Sequence, residues 1–233
     1  MKILAIETST YAGSIAVVGD DTILGEYYFN IGPVHTEKLI PSIDWLLSEL
    51  GMVKSDLSGV AVSLGPGSFT SLRVGISTAK GICYSLGIPL IGVSSLKALA
   101  MNLPFAPSNI CPVIDARKGE VFTSLFRFTN GELERILEDI VVSPEGLVEI
   151  IKDNTIFVGD GALLYKDYLE DNLGSGIMFS PINTNFPRAS NLALSEIGKF
   201  KEDRDNKYIY DEIMNLAPHY LRKSEAEISK EGR

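Results

Sequence analysis

The chain is poor in the residues that build metal and redox centres, with 2 cysteines and 2 histidines in 233 residues. Cys83 and Cys111 form no redox or zinc-ligand spacing, which leads us to expect a cytoplasmic protein with both thiols reduced. His35 and His219 make no HxxxH or HExxH pair, so a metal site built on a histidine motif is excluded. A Ser–His–Asp triad would need one of the same two histidines, and there is no G-x-S-x-G elbow. No apolar run reaches membrane-spanning length, and the opening MKILAIETST reads as a strand, not a signal peptide. Basic residues are also in deficit: 21 Lys and Arg stand against 30 Asp and Glu, a net charge of -9. Gripping nucleic acid by bulk phosphate neutralisation is therefore excluded; an RNA reaction would need a partner to hold the RNA.

What remains is an ordinary globular composition, 45% hydrophobic and 22% charged, in a chain long enough for one large or two small domains. Its most informative stretch is VAVSLGPGSFTSLRVGISTAKGICYSLGIPLIGV, residues 60–93. A buried strand ends in Gly65-Pro66-Gly67, a helix runs from about residue 70 to 86 and closes at Gly87, and a second buried strand follows Pro89. This βαβ unit has the glycine-rich turn where α/β proteins often hold phosphates. Yet no lysine completes a Walker loop, and Thr70 stands where a dinucleotide fingerprint needs Gly or Ala. The turn fits phosphate binding, and it fits tight helix–strand packing.

The first hundred residues read as strands at 2–7, 14–18 and 23–29, a helix at 36–50, the βαβ unit, and a short helix at 95–102. From Ile110 the same βββαβαβα order starts again: strands at 110–115, 121–128 and 133–140, a helix capped by Ser143-Pro144, and a strand at 155–158. A helix at 162–170, a strand near Met178 and a helix at 189–200 complete it. The duplication predicts an α/β protein of two lobes facing a cleft, 1–104 and 105–233, with the C-terminal segment returning to the first lobe. Tyr220 and Leu221 are expected to dock, and the charged end beyond them to stay mobile.

Three sites carry candidate chemistry. Glu7, Thr8 and Ser9 follow the first strand, where a hairpin tip can bind phosphate or simply cap itself. Gly159, Asp160 and Gly161 hold the matching junction of the second lobe; the glycines permit close ligand approach, and an N-cap role for Asp160 explains them equally well. On the long helix, Leu72, Ile76, Ala79, Cys83 and Leu86 recur at bundle spacing, Gly75 and Ser77 keep the surface small, and Ile82 widens the apolar face. Such a seam serves either the core or a partner helix. The turn at residues 115–120 is a solvated hairpin or a partner surface, and His35 reads as a helix-entry residue.

Five stretches in order, ILAIETST, VSLGPGSFTSLRVGISTAKGI, DARKGEVF, VGDGA and PHYLRKSEAE, together resemble the TsaB family, also called YeaZ. The resemblance spans essentially the whole chain. It implies an actin/Hsp70/sugar-kinase-like fold with the duplicated order above. It also implies the role of non-catalytic partner of TsaD in bacterial threonylcarbamoyl transfer to adenosine-37 of tRNAs, with the ATPase TsaE as third component. The catalytic relative TsaD has GVHHMEGHL where this chain has residues 92–100, so its metal-binding histidines fall at Ser95 and Leu99. Leucine has no donor and a neutral hydroxyl is a weak one, which argues against metalloprotease chemistry. On this reading the chain has no cofactor of its own; ATP and a metal ion belong to the partner subunits. Leu72, Gly75, Ile76, Ala79, Ile82 and Cys83 are the expected partner or homodimer contacts, and tRNA meets the complex with no membrane involved. Thr8, Ser9, Gly159, Asp160 and Gly161 are the expected remnant of a nucleotide site. The alternative is an ATP-dependent small-molecule kinase of the same superfold.

Overall fold

A computed structural model describes residues 1–30, 35–202 and 210–222. The first lobe comprises β1 (Ile3–Glu7), β2 (Gly13–Val18), β3 (Ile23–Phe29), α1 (His35–Glu49), β4 (Gly59–Gly65), α2 (Phe69–Leu86), β5 (Leu90–Ser94) and α3 (Ser95–Ala100). The second is built on β6 (Asn109–Arg117), β7 (Glu120–Thr129), β8 (Glu132–Val142), α4 (Pro144–Ile150), β9 (Thr155–Val158), α5 (Asp160–Leu164), α6 (Lys166–Leu173) and β10 (Ile177–Phe179). The chain ends with α7 (Ala189–Glu202) and α8 (Tyr210–Asn215).

Strand order is β3-β2-β1-β4-β5 in one sheet and β8-β7-β6-β9-β10 in the other, so the duplication is realised strand for strand. In each, the three leading strands are antiparallel and the last two join in parallel. The central strand β1 is buried along its whole length because helices cover both of its faces. Alternation then sorts its side chains: Leu4 and Ile6 pack with α1 and α2, Ile3 and Ala5 with α7. Gly87 closes α2 in the left-handed conformation, and Ser143 caps α4 by accepting from Gly146 N–H at 3.2 Å.

Two features differ from the sequence reading. The helix at residues 162–170 is two helices, broken at Tyr165. More consequentially, α7 does not finish the second lobe. Its Ala189, Leu192, Ala193 and Phe200 cover the first sheet at Ile3, Ala5, Ala16, Val18 and Ala61. Periodicity reveals an apolar face without saying which sheet it meets; here the open side of the first sheet takes it. Gly59 lacks the side chain that would collide with the Phe200 ring, and Ser14 Oγ accepts from Ala189 N–H at 2.8 Å.

Helix α3 joins the lobes. Leu96, Leu99 and Ala100 enter the core of the second sheet while Ala98 packs on the first. The C-terminal segment returns to the first lobe, where Ile213 of α8 is buried in the core under α1 and α2. His35 opens α1, but its side chain and residues 223–233, including the charged end, lie outside the described residues. Among the described residues no helix is long and apolar enough to cross a membrane.

Candidate functional site

The lobes enclose a cavity of about 460 Å³. Its walls are the first hairpin (Ser9, Thr10, Tyr11), the Pro66-Gly67 loop with Phe69, the second hairpin (Asp115, Arg117), Asp160, and residues 219–222. Both candidate nucleotide elements therefore converge on one cleft, though much of their polar chemistry is turned inward.

Thr8 is fully buried; its Oγ1 donates to the Ser71 carbonyl at 2.9 Å and its N–H to Ser63 Oγ at 3.4 Å. Gly75 makes this possible, since a Cβ there would overlap Thr8 Oγ1. Gly67 does the same for Ser9, whose carbonyl accepts from Ser68 N–H at 2.7 Å. Ser9 Oγ itself is buried without a partner. The Gly65-Pro66-Gly67 turn thus brings α2 down onto the first hairpin, and close packing accounts for its glycine.

Glu7 is the most perturbed acid of the site. Fully buried, it accepts from Ser9 N–H at 2.6 Å through Oε1, while Oε2 has no hydrogen-bond partner. Burial pushes its carboxyl up to about 7, against the opposing hydrogen bonds of Ser9 and Ser63. A carboxylate meant to hold Mg²⁺ needs its charge and an open path to the cleft; Glu7 is sealed beneath its own hairpin.

In the second lobe, Gly159 (φ 124°) and Gly161 lie against the backbone of β6, where a Cβ at either position would collide with residues 113–115. Gly159 N–H is held by Asn185 Oδ1 at 2.7 Å, a contact 26 residues distant in sequence that no local motif announces. Asp160 reaches the cleft wall, accepting through Oδ1 from Gly161 N–H at 2.8 Å and Asp115 N–H at 3.2 Å. Burial raises its pKa and the neighbouring Asp115 charge adds to this, while the two N–H bonds and Arg117 oppose. Asp115 pairs with Arg117 at 2.8 Å, and the Arg117 guanidinium sits 4.8 Å over the Tyr11 ring, tying one hairpin to the other.

Ser95 and Leu99, one turn apart on α3, are both fully buried, and Leu99 packs among the second-lobe core residues and against Gly159. The position matching a histidine pair is filled with core.

On α2, the seam is core too. Leu72, Gly75, Ile76, Ala79 and Cys83 are buried beneath the helix and Ile82 is partly buried against the same cluster, so these side chains form no free contact surface. The sheet below and α8 beside it absorb the apolar stripe. Outward the helix presents Arg73, Ser77, Gly81 and Tyr84, and α1 presents Ile40 and Trp45. Lying off the apolar seam, this ridge gave no periodic signal. Residues Ser94, Asp139 and Arg135 also went unread: Ser94 Oγ donates to Asp139 at 2.6 Å across the lobes, and Arg135 pairs with the same carboxylate.

A family model described as "TsaD: tRNA N6-adenosine threonylcarbamoyltransferase" matches residues 31–230. The Bacillus subtilis (strain 168) tRNA threonylcarbamoyladenosine biosynthesis protein TsaB is 37% identical over 230 residues, covering 97% of this chain and 96% of that protein. Its Escherichia coli (strain K12) namesake is 29% identical, with 97% and 96% covered. A solved Pseudomonas aeruginosa structure, described as an uncharacterized protein with similarity to peptidase YEAZ, shares 26% identity at a TM-score of 0.79, covering 95% of this chain and 99% of that one. With the same strands, hairpins and junctions spanned from end to end, this chain belongs to the TsaB (YeaZ) family, within the wider group whose family model is named for TsaD.

Proposed function

We propose that the chain serves tRNA threonylcarbamoyladenosine biosynthesis as a non-catalytic scaffold and activating subunit that docks TsaD. The observation that carries this reading is the filled core at Ser95 and Leu99, where the catalytic relative places its metal-binding histidines. The engaged groups of the cleft support it: Thr8 is spent on the backbone of α2 and Glu7 is sealed. TsaD carries the metal and the chemistry, TsaE the ATPase, and tRNA is met mainly through the complex.

The docking surface is the outer ridge of α2 with the adjoining face of α1. Ser77 and Gly81, one turn apart and exposed, let another helix approach closely, and a Cβ at Gly81 meets nothing within 4 Å. The same ridge serves a homodimer when TsaD is absent. The test is Ser77→Arg with Gly81→Arg. Replacing an exposed helical glycine raises helix propensity, so the melting temperature should hold or rise. Co-purification with TsaD and threonylcarbamoyl transfer by the reconstituted complex should both fall at least tenfold. Undiminished complex formation would refute this surface. Calorimetry with Mg-ATP separates the kinase alternative, which requires binding and turnover by the isolated chain.

A further inference from the structure

Residues 216–222 cross the mouth of the cleft and are tied to both lobes. α8 seats them on α2, with Lys80 Nζ donating to the Met214 carbonyl at 2.7 Å. His219 N–H donates to the Leu64 carbonyl at 2.7 Å, beside the Gly65-Pro66 turn. Tyr220 stacks on Phe69 with ring centroids 4.5 Å apart, and its hydroxyl accepts from Arg73 Nε at 2.9 Å. Leu221 then packs on the second-lobe core, and Arg222 Nη1 donates to Glu120 Oε2 at 2.8 Å on the second hairpin.

The two ends of the cleft are held differently. At its base α3 is buried in both lobes and the Ser94–Asp139 bond is half sealed. That end can act as a hinge and little else. At the mouth the ties are surface ones: Arg117 over Tyr11, and the strand of residues just traced. Tyr220 is 39% exposed, so its stack with Phe69 can be broken without opening a core. We infer that residues 218–222 form a strap that sets how far the cleft opens, linking the Arg73 side of α2 to the second hairpin. That a TsaD-like partner uses this link rests on the proposed docking surface; the strap's control of the cleft does not, and is tested without a partner.

Spin labels at Asp21→Cys and Leu164→Cys, exposed positions in opposite lobes and off the proposed docking ridge, report the lobe separation by pulsed dipolar spectroscopy in samples diluted with unlabelled chain. The native Cys83 and Cys111 are buried and stay unlabelled. The parent chain should give one narrow distance distribution. With Tyr220→Ala and Leu221→Ala added, a second, longer population should grow to at least a third of the molecules. Amide exchange in residues 115–120 should quicken at least tenfold, while β1 and β4 remain protected. An unchanged distribution in a folded variant overturns the strap. Should the double alanine variant fail to fold, charge reversal decides: Arg222→Glu should lengthen the distances and Glu120→Arg added to it should restore them. A folded Arg222→Glu variant with the parent distribution overturns the inference equally. Loss of partner binding plays no part in either readout.

Discussion

Glu7→Gln removes the one ionisable group that β1 carries into the hairpin, and the consequence depends on pH in a calculable way. The native carboxyl titrates at about 7, against an ordinary value of 4.5. Because the folded state holds the proton more tightly, the stability it lends is full below 4.5, declines as the pH rises, and is gone above 7. Integrating between those two values, the parent protein loses about 2–3 kcal/mol from this group between pH 5 and pH 8. Glutamine keeps an acceptor for the Ser9 N–H and cannot ionise. At pH 8 the variant should therefore be more stable than the parent by about 2–3 kcal/mol, or roughly 5–10 °C in melting temperature for a chain of this size. At pH 5 the two should agree within about 1 kcal/mol, since both are then neutral at this position.

The assay is urea unfolding followed by circular dichroism at several pH values, read as the difference between variant and parent. Taking the difference matters because Asp160 is also raised by burial while Glu196 is lowered, its Lys199 and Lys97 hydrogen bonds outweighing burial; both affect the absolute curves. A difference that stays flat from pH 5 to 8 would show that Glu7 reaches water or a counter-charge, and the account of a sealed hairpin would be wrong. A difference of the opposite sign, with Gln less stable at high pH, would show that the charged form is the one the fold requires.

Other substitutions probe the close approaches around the cleft. Gly75→Ala forces a methyl onto Thr8 Oγ1 and should destabilise by about 1–3 kcal/mol, with Thr8→Ala in the same chain recovering part of the loss in a double-mutant cycle. Gly159→Ala combines a φ of 124° with a collision against the Val113 carbonyl, so a loss of at least about 3 kcal/mol, seen as a collapse in soluble yield and melting temperature, is expected. Burial pushes the Cys83 and Cys111 thiols up to about 12, so Ellman's reagent at pH 8 should titrate neither in the native protein and both in denaturant. Ending the chain before residue 218 should lower the melting temperature, because Tyr220 and Leu221 lose their packing on both lobes.

Much of the fold was legible because its signals are local. The buried strands are short apolar runs stopped by Gly, Pro or Asp, and Gly87 and Ser143 cap their helices where the chain predicts. The strand order could be read twice because each lobe repeats the same punctuation. What escaped depends on which surfaces meet. The stripe of α7 is equally compatible with either sheet, and only the uncovered side of the first one selects it. The seam of α2 was visible, but its partner was the chain's own sheet; Ser77 was legible as a small residue of the helix, but not as part of an outer ridge with Gly81, which carries no apolar period. The glycines at 67, 75 and 159 showed as turn or small-residue signals, while the atoms that require them lie 58, 67 and 46 residues away, at Ser9, Thr8 and Val113.

These close approaches bear on how a two-lobed cleft fold would serve the proposed scaffold role. A phosphotransferase of this architecture needs hairpin amides, hydroxyls and a carboxylate left free to meet phosphate and metal. Here the Thr8 hydroxyl fastens α2, burial pushes the Glu7 carboxyl toward its neutral form, and Gly159 and Gly161 lie against the backbone of β6. On the proposed reading, groups placed where a nucleotide would bind serve instead to fasten the long helix to the first hairpin. That exchange rigidifies the helix whose outer ridge is the proposed docking face, and it leaves the cleft mouth to be closed by the chain's own residues 218–222. Opening those groups to a ligand would require loosening α2, so on the proposed reading the scaffold role and a closed nucleotide site would be one structural change viewed from opposite sides of a single helix.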